Sequence, residues 1–431
     1  MMKTLIKNGQ LIDPQNNISG LFDVLLIDDK IEAVAPQGTL VVSDTKEIDA
    51  RGLIVCPGFV DLHCHLREPG FEYKETISSG TASAVAGGFT SVCCMANTHP
   101  VNDNATVTAF IQKQVRETGY CHVYPIGAIT KELKGEALAN IAELNDAGCI
   151  AISDDGNTVQ NARLMKIALD YARSFGLPIT THSLEINLAN NGHMNASIMS
   201  TKLGLKGLPN VAEDIIIARD IMLAEQSGAH LHVGHVSTAI GITLVQEAKE
   251  RGAKITCEVT PHHFSLTDEA LVGYNTNFKM YPPLRTRKDI DALKTAFKNG
   301  VVDAIATDHA PHGIIDKELE FDRAAFGIIG FETALPLSLN LVREGVITLE
   351  EMVGLLTVKP ANVFNLSGGT LSQGRFADIV LFDQNASWTF DEGKIYSKSK
   401  NSPFLGTELR GRVIKTLVKG RLVYDVSSGV L

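Results

Sequence analysis

The chain has 431 residues, of which 44% are hydrophobic and 20% charged, with a formal net charge of −10. This composition indicates a globular protein long enough for two domains, and the acidic balance argues against electrostatic binding to nucleic acid or to an anionic membrane. Seven cysteines without a CxxC pair predict reduced, buried thiols. No segment approaches the roughly 20 apolar residues of a membrane span, and the N-terminus lacks a signal-peptide pattern, so we expect a cytoplasmic protein.

Both ends of the chain predict β structure. Short runs of alternating apolar residues, separated by turn residues, occupy the N-terminal part, and the same pattern returns in ADIVLFD and RVIKTLVKGRLVYD near the C-terminus. Lys419-Gly420 is typical of a hairpin turn. Because chain termini often lie close together, we expect residues 1–52 and 368–431 to form one small β-domain.

The region between them, residues 53–367, alternates short β-branched runs with longer stretches of helical period. One helix is well delimited, since Asn161 can cap it, residues 162–175 carry the period and Gly176 ends it. Strands that alternate with helices indicate a parallel sheet covered by helices. Eight such units fit a closed (β/α)8 barrel of the TIM type, so the predicted fold class is α/β.

Polar residues follow several of these predicted strands, although a parallel strand buried on both faces normally carries Val, Ile or Leu. The C-terminal ends of barrel strands share one rim, on which active sites are built. Side chains that are distant in sequence are therefore expected to meet there. The candidates are His63, His65, Asn97, Asp154, Asp155, His182, His235, Asp308, His309 and His312.

The pair His63 and His65 is the strongest single indication of a metal. At this spacing both imidazoles project from one face of a strand, while Cys64 points the other way into the core. An isolated HxH pair is a weak signal, because core histidines with satisfied hydrogen bonds are common. Three later strands end with a further candidate ligand, namely His182, His235 and Asp308. Imidazole and carboxylate suit zinc, and leaving so many buried polar groups unpaired would be costly, so the sequence predicts a metal site.

Five segments form a further pattern: PGFVDLHCHLREPG (57–70), TPHHFSL (260–266), PPLR (282–285), ATDHAPH (306–312) and GIIGFETALPL (327–337). Together they resemble the dihydroorotase family of the amidohydrolase superfamily, in order along essentially the whole chain. The resemblance implies an eight-stranded barrel beside a small β-sandwich built from both termini. It also implies the reversible hydrolysis of L-dihydroorotate to N-carbamoyl-L-aspartate, a step of de novo pyrimidine (UMP) biosynthesis.

The resemblance further implies two zinc ions as the cofactor. The ligands it implies are His63, His65 and Asp308 for one ion, and His182 and His235 for the other. Many members of the superfamily bridge the two ions with a carboxylated lysine after the fourth strand, but here that strand ends in GCIAISDDG. The chain is similar to the branch in which an aspartate forms the bridge. Asp155 is the expected bridge, and Asp154 is the alternative.

The chemistry expected at this site is attack by a metal-bound hydroxide. Zinc lowers the pKa of a bound water from about 15.7 to about 7 and withdraws charge from the amide carbonyl. Asp308 would take the proton of the attacking water as general base and pass it to the ring nitrogen as general acid. In the ring-closing direction the same groups act in reverse.

The substrate carboxylate requires a cationic partner. Arg67, two residues beyond His65, can form a charge-assisted pair with it, although a salt bridge with Glu68 or Glu72 is the alternative use of this side chain. The resemblance assigns substrate contacts to His65, Arg67, Asn97, His312, Phe326 and Gly327. Asn97 can instead be a simple turn residue. The segment 312–327 is expected to be a mobile loop over the site or an ordinary solvated loop.

One residue departs from the family pattern. The family usually has Asn immediately before PPLR, where it contacts the pyrimidine ring, whereas this chain has Tyr281. A phenol cannot reproduce the paired donor and acceptor of an amide. Either a neighbour such as Asn277 replaces the amide or substrate binding differs. A cyclic amide hydrolase of the hydantoinase or allantoinase type therefore stays an alternative.

The expected partner is a small-molecule substrate, with neither nucleic acid nor membrane. A second alternative, a non-catalytic dihydroorotase-like subunit of aspartate transcarbamoylase, is disfavoured because all six expected ligands are present. The sequence leaves open the binding of one or two zinc ions, a homodimer, and an association with aspartate transcarbamoylase.

Overall fold

The computed structural model describes residues 2–431. Its strands are β1 (Lys3–Asp13), β2 (Ile18–Ile27), β3 (Lys30–Pro36), β4 (Lys46–Asp49), β5 (Ile54–Pro57), β6 (Phe59–Cys64), β7 (Phe89–Cys94), β8 (His122–Pro125), β9 (Ile179–Thr181), β10 (Met194–Asn195), β11 (Gly207–Leu208), β12 (Leu231–Val233), β13 (Ile255–Val259), β14 (Ala304–Ile305), β15 (Ile379–Thr389), β16 (Glu408–Val418), β17 (Arg421–Asp425) and β18 (Gly429–Val430).

The helices lie almost entirely between the two terminal β regions. They are α1 (Ile77–Ala86), α2 (Ala105–Thr118), α3 (Ile141–Asp146), α4 (Ala162–Ser174), α5 (Ile186–Ala189), α6 (Ile198–Leu203), α7 (Val211–Ser227), α8 (Ala239–Glu250), α9 (Pro261–Ser265), α10 (Arg287–Lys298), α11 (Ile314–Lys317), α12 (Phe331–Arg343), α13 (Leu349–Leu356) and α14 (Val358–Val363).

Strands from both ends of the chain form one nine-stranded sheet. Its order is β18-β17-β16-β15-β5-β1-β2-β3, with β4 paired to β1. The N-terminal and C-terminal parts join where β5 runs antiparallel to β15 and parallel to β1. A buried cluster that includes Ile6, Leu26, Ile379 and Leu417 combines side chains of both parts, which explains why the ends fold together.

The parallel strands of the middle region form the barrel. One sheet holds β6, β7 and β8, and another holds β9, β12, β13 and β14. Ile152 bridges Gly127 on one side and Ile179 on the other, so the segment around it is the fourth strand. On the opposite side, Cys64 bridges His309, which closes the ring of eight strands. Every residue of β6 and β7 is buried, as expected of strands covered on both faces.

The local signals were accurate at two places. In α4 the Asn161 side chain accepts hydrogen bonds from the N–H groups of Arg163 and Leu164, and Gly176 beyond its end has φ +70°. Lys419 and Gly420, at φ 49° and 71°, connect β16 to β17, as the hairpin prediction required.

The run LIVCPGFVDLHCHL contains two strands with different partners. β5 belongs to the terminal sheet, so that sheet extends past residue 52, and only β6 enters the barrel. The change occurs at Gly58, where an added Cβ would lie 2.2 Å from the side chain of Thr90. Within residues 2–431, no helix has both the length and the apolar character that a membrane crossing requires.

Candidate metal and substrate site

Four histidines surround the carboxylate of Asp155. Its Oδ1 lies 3.3 Å from His63 Nε2, 3.6 Å from His182 Nδ1 and 3.5 Å from His235 Nε2, and its Oδ2 lies 3.6 Å from His65 Nε2. All five residues are at most 5% exposed. The structure thus brings together residues that follow four different barrel strands, as their positions at strand ends predicted.

Asp308 also contacts His63 and His65, the two histidines at the end of strand β6. Its Oδ1 is 3.1 Å from His65 Nε2 and 3.6 Å from His63 Nε2. Ligand atoms within 4.8 Å of one another define two overlapping groups, one of His63, His65 and Asp308 and one of His63, Asp155 and His235. The His182 Nδ1 atom is adjacent to the second group, 2.9 Å from His235 Nε2. This donor set has room for one or two cations.

Two buried atoms at the centre of the cluster have no hydrogen-bond partner among the described residues. They are His63 Nε2, which belongs to both groups, and Asp155 Oδ1, which belongs to one. Unpaired buried polar atoms are costly, and imidazole nitrogen together with carboxylate oxygen suits zinc. The residues present therefore fit a metal ion at this place.

The two consecutive aspartates have different environments. Asp154 accepts hydrogen bonds from the N–H groups of Ile129 and Thr130 and from the hydroxyl of Thr130. Its carboxylate thus binds the backbone of Ile129 and Thr130, which follow strand β8. Asp155, the next residue, faces the histidines. Of the two candidates for the bridge, the structure brings only Asp155 to the cluster.

Partners behind the histidines fix which ring nitrogen faces the cluster. His63 Nδ1 donates to Glu258 Oε1 at 2.7 Å, and His65 Nδ1 donates to Asn97 Oδ1 at 3.0 Å. In both rings Nε2 is therefore the nitrogen that faces the carboxylates of the cluster and would be the metal ligand. Glu258 also accepts from the His235 N–H at 3.2 Å. The sequence analysis did not single out Glu258. An acidic residue inside the otherwise mostly apolar strand ITCEV does, however, indicate a buried polar partner.

A second acid that sequence reasoning missed holds the backbone before Asp308. Asp61 of β6 accepts hydrogen bonds from the N–H group of Thr307 at 2.8 Å and from its hydroxyl at 2.7 Å. Asp308 itself has φ 45°, and His235 and Arg67 have φ 33° and 63°. Such left-handed backbone costs about 1–3 kcal/mol in a non-glycine residue and persists where the surroundings enforce it. Three residues of the site are therefore held in strained backbone.

The electrostatics of the cluster favour positive charge near its carboxylates. Burial alone would raise the pKa of Asp308, but nearby His63 and the hydrogen bond from His65 lower it to about 2. Burial would lower the pKa of His63, yet Asp155, Asp308 and Glu258 raise it well above its usual range. The carboxylates thus stay ionised at neutral pH and stabilise a cation among them.

A cavity of about 200 Å³ opens onto this cluster. It is lined by His65, Arg67, Asn97, Asp155, Gly156, His182, His235, Met280, Tyr281, Asp308, Ala310, His312, Phe326 and Gly327. Every residue to which we assigned a substrate contact is in this lining except Asn277, which lies in a short turn away from the cavity. Asn277 is therefore not placed to replace the missing amide.

Arg67 lies in the cavity without an acidic partner. Among residues 2–431, no carboxylate oxygen lies within 4.0 Å of its guanidinium, and Glu68 and Glu72 instead accept backbone N–H groups. Its Nε donates to the Pro311 carbonyl at 3.2 Å, and its Nη2 lies 3.3 Å from His312 Nε2. The salt-bridge alternative is not observed, so the guanidinium can bind an anion.

Tyr281 forms an aromatic wall of the cavity. Its ring centroid is 5.1 Å from that of His182 and 4.7 Å from that of Phe326. Gly327, next to Phe326, has φ +152°, and a Cβ there would lie 2.6 Å from the Ala310 carbonyl oxygen. The chain therefore needs glycine at this place to bring its backbone to the cavity.

The remaining candidates have structural contacts. His309 is fully buried, stacks on Phe331 and lies 3.3 Å from Glu75, so it packs away from the cluster as expected. Cys64 is buried and donates to the Cys93 carbonyl. All seven cysteines are free and buried.

Comparison with known families gives two matches along the chain. A family described as dihydro-orotase-like matches residues 52–240, and the amidohydrolase family matches residues 223–424. A dihydroorotase from Syntrophus aciditrophicus is 50% identical over 424 residues, covering 98% of this chain and 100% of that protein. A dihydroorotase from Geobacter metallireducens is 50% identical over 423 residues, with coverage of 98% and 100%.

Solved structures with the same architecture have more distant sequences. An L-hydantoinase (dihydropyrimidinase) from Arthrobacter aurescens superimposes with a TM-score of 0.90 at 25% identity, covering 100% of this chain and 98% of that one. A dihydropyrimidinase from Brevibacillus agri gives a TM-score of 0.86 at 25% identity, with coverage of 98% and 95%.

Proposed function

Since the chain belongs to the dihydroorotase family and is a cyclic amide hydrolase, we propose that its cavity interconverts L-dihydroorotate and N-carbamoyl-L-aspartate with the assistance of two zinc ions. One observation carries the proposal. A buried set of imidazoles and carboxylates, in which His63 Nε2 and Asp155 Oδ1 have no hydrogen-bond partner, opens onto a cavity that also contains Arg67, whose guanidinium has no carboxylate partner among residues 2–431. The first feature suits a hydrolytic metal, and the second suits a substrate carboxylate.

The candidate ligands lie close together in the structure. His63, His65 and Asp308 would hold one ion, and His182 and His235 the other, with Asp155 between them. When bound, zinc makes water nucleophilic at neutral pH and withdraws charge from a carbonyl oxygen. Hydrogen bonds from Nδ1 orient the rings of His63 and His65 for this purpose.

Asp308 is suited to move the proton. Its carboxylate is ionised at neutral pH, because the histidines lower its pKa to about 2, and it lines the cavity beside His65. In ring opening it would accept the proton of the attacking water and deliver it to the leaving ring nitrogen. In ring closure it would take a proton from the ureido nitrogen. One carboxylate thus serves both directions.

Arg67 would hold the substrate carboxylate while the ring amide faces Asp308. The guanidinium has paired N–H donors that match a carboxylate, and its own contacts in the structure are a carbonyl and a neutral imidazole. Burial, together with Arg67 and Lys74, lowers the pKa of His312 far below its usual range, so this ring stays neutral. His312 can therefore accept a hydrogen bond from Arg67 without competing for the anion.

The rival substrate class is the hydantoins and dihydropyrimidines named for the structural neighbours. The purified enzyme should be assayed with carbamoyl aspartate, dihydroorotate, hydantoin, allantoin and dihydrouracil, before and after treatment with a chelator. We expect turnover of the first two substrates, its loss on chelation and its recovery with zinc. Turnover of hydantoin or dihydrouracil alone would reject the proposal.

The Asp308→Asn variant tests the proton-transfer role. A positioned general acid or base contributes about 10²–10⁴-fold, so we expect a loss of this order in kcat in both directions with normal folding. Asp146→Asn, which changes an exposed acid, is the matched control. Unchanged kcat in the Asp308→Asn variant would exclude the role.

A further inference from the structure

Two buried lysines bind the backbone of the lid segment, which we define as residues 312–327. Lys279 is 1% exposed and Lys317 is 5% exposed. Among residues 2–431, neither ammonium group has a carboxylate oxygen within 4.0 Å, so neither is part of an ion pair. Burying an ammonium group is costly unless strong acceptors replace its water, so the acceptors of these two groups are informative.

Lys279 lies outside the lid segment and binds its backbone. Its Nζ donates to the carbonyl oxygen of Asp322 at 3.0 Å and to that of Ala324 at 2.7 Å. The same ammonium group lies 4.4 Å from the ring centroid of Phe326, a cation–π contact. A single buried cation therefore contacts three positions within five residues of the lid segment.

Lys317 lies within the lid segment and binds its far end. Its Nζ donates to the carbonyl oxygens of Ala325 at 2.8 Å and Gly327 at 3.1 Å. The Gly327 N–H in turn donates to the Lys279 carbonyl at 2.9 Å, and the hydroxyl of Thr276 donates to the Lys317 carbonyl at 2.6 Å. The two lysines thus connect the lid segment to the chain just before Tyr281.

Apolar packing does not hold the first half of the lid segment. Ile314 and Ile315 are 70% and 72% exposed, and Leu319 is 41% exposed. Phe321 and Phe326 are the aromatic side chains that turn inward, and both lie next to Lys279. The polar bonds of the two lysines therefore help to attach this segment, along with those of Asn401, which accepts from the His312 N–H and donates to the Gly327 carbonyl, both at 3.0 Å.

The attached end of the lid segment is the end that meets the substrate cavity, since Phe326 and Gly327 line it. We propose that Lys279 and Lys317 are positioning residues that hold Phe326 and Gly327 against the bound substrate. They set substrate affinity, while the metal ligands and Asp308 set the chemical step. The expected effect on the KM for carbamoyl aspartate rests on the proposed function. The expected effect on the attachment of the lid segment does not.

The test uses Lys279→Met and Lys317→Met, which keep the length of the side chain and remove its donors. Lys298→Met, at an exposed lysine of α10, is the matched control. Kinetics with carbamoyl aspartate should show KM raised about tenfold or more, equivalent to about 1.4 kcal/mol of lost binding, with kcat within about threefold of the wild type. Metal content should be unchanged.

Hydrogen exchange of peptides covering residues 314–327 provides the second measurement, in the absence of substrate. We expect exchange about tenfold faster in both variants and unchanged exchange in the barrel strands and in the control. An unchanged KM, unchanged exchange in this segment, or loss of the folded barrel in both variants would overturn the inference. If the wild type does not turn over carbamoyl aspartate, the proposed function fails, and the exchange comparison still decides the positioning role.

Discussion

His63 Nδ1 lies 2.7 Å from Oε1 of Glu258, and both side chains are almost completely buried. Because a carboxylate only accepts, Nδ1 must carry a proton, and Nε2 is the ring nitrogen that faces Asp155 and Asp308. The same carboxylate accepts from His232 Nε2 at 3.1 Å, and these contacts lower its pKa despite its burial. Glu258 therefore sets the tautomer of a proposed metal ligand.

Glu258→Gln should weaken metal binding rather than unfold the protein. Changes in the groups that orient metal-bound histidines typically cost about 10–100-fold in metal affinity or activity. We expect a loss of this size in zinc affinity, measured by competition with a chromogenic chelator. Glu247→Gln, at an exposed position of the neighbouring helix α8, should bind zinc as the wild type does. Equal zinc affinity in the Glu258→Gln variant would show that His63 does not need this partner.

The positions of the metal-ligand candidates could be predicted because they depend on one regular feature. In a parallel barrel the strand ends share a rim, so His63, His182 and Asp308 had to approach one another once the strands were identified. The identity of the aspartate that faces the cluster could not be derived in this way. Strand alternation breaks down at irregular strand ends, and only the hydrogen bonds to Asp154 distinguish the two residues.

The parts that the sequence did not reveal depend on contacts between distant loops. Lys317 belongs to a charged stretch, IIDKELEFDR, which is typical of a solvated loop, yet its side chain is buried by folding back onto Gly327. Asn277 is close to Tyr281 in sequence, but it lies in a short turn and is not among the residues that line the cavity. Neither result follows from a periodic pattern, since both depend on the path of irregular backbone.

Arg67→Gln should mainly raise KM. A charge-assisted hydrogen bond contributes about 1.5–3 kcal/mol, so the loss of the guanidinium should raise KM for carbamoyl aspartate by about 10- to 150-fold. Arg116→Gln, at an exposed arginine of α2, is the control. The discrimination between dihydroorotate and dihydrouracil, which lacks the carboxylate, should fall by the same factor. If that ratio does not change, Arg67 does not recognise the carboxylate.

Tyr281 should act through its ring and not through its hydroxyl. The hydroxyl makes no hydrogen bond to any of residues 2–431, whereas the ring packs between His182 and Phe326. Tyr281→Phe should therefore keep kcat/KM within about threefold. Tyr281→Asn removes two aromatic contacts of about 0.5–1.5 kcal/mol each, so we expect kcat/KM to fall about tenfold. A Tyr281→Asn variant as active as the wild type would mean that the amide contacts the substrate ring directly.

The two lysines that bind the lid segment should make its closure pH-dependent. Burial lowers the pKa of Lys317 to about 7 and that of Lys279 to about 8, against 10.5 for a solvated lysine. The titratable groups that face them, besides each other, are Asp316, Asp322, His193 and His312. Between pH 7 and 10.5 the open segment binds more protons than the closed one, so closure strengthens as the pH rises and is constant below about pH 7.

This prediction can be measured as protection factors of residues 314–327, corrected for intrinsic exchange, at pH 7, 8 and 9. The wild type should gain protection with pH, by at most about tenfold per unit for each lysine that opening exposes. In Lys317→Met the slope should decrease, because only Lys279 still titrates. If protection in the wild type does not rise with pH, the pKa of the two ammonium groups is not lowered in the closed segment. The carbonyl oxygens that accept from these groups would then fully replace the water that burial removes from them.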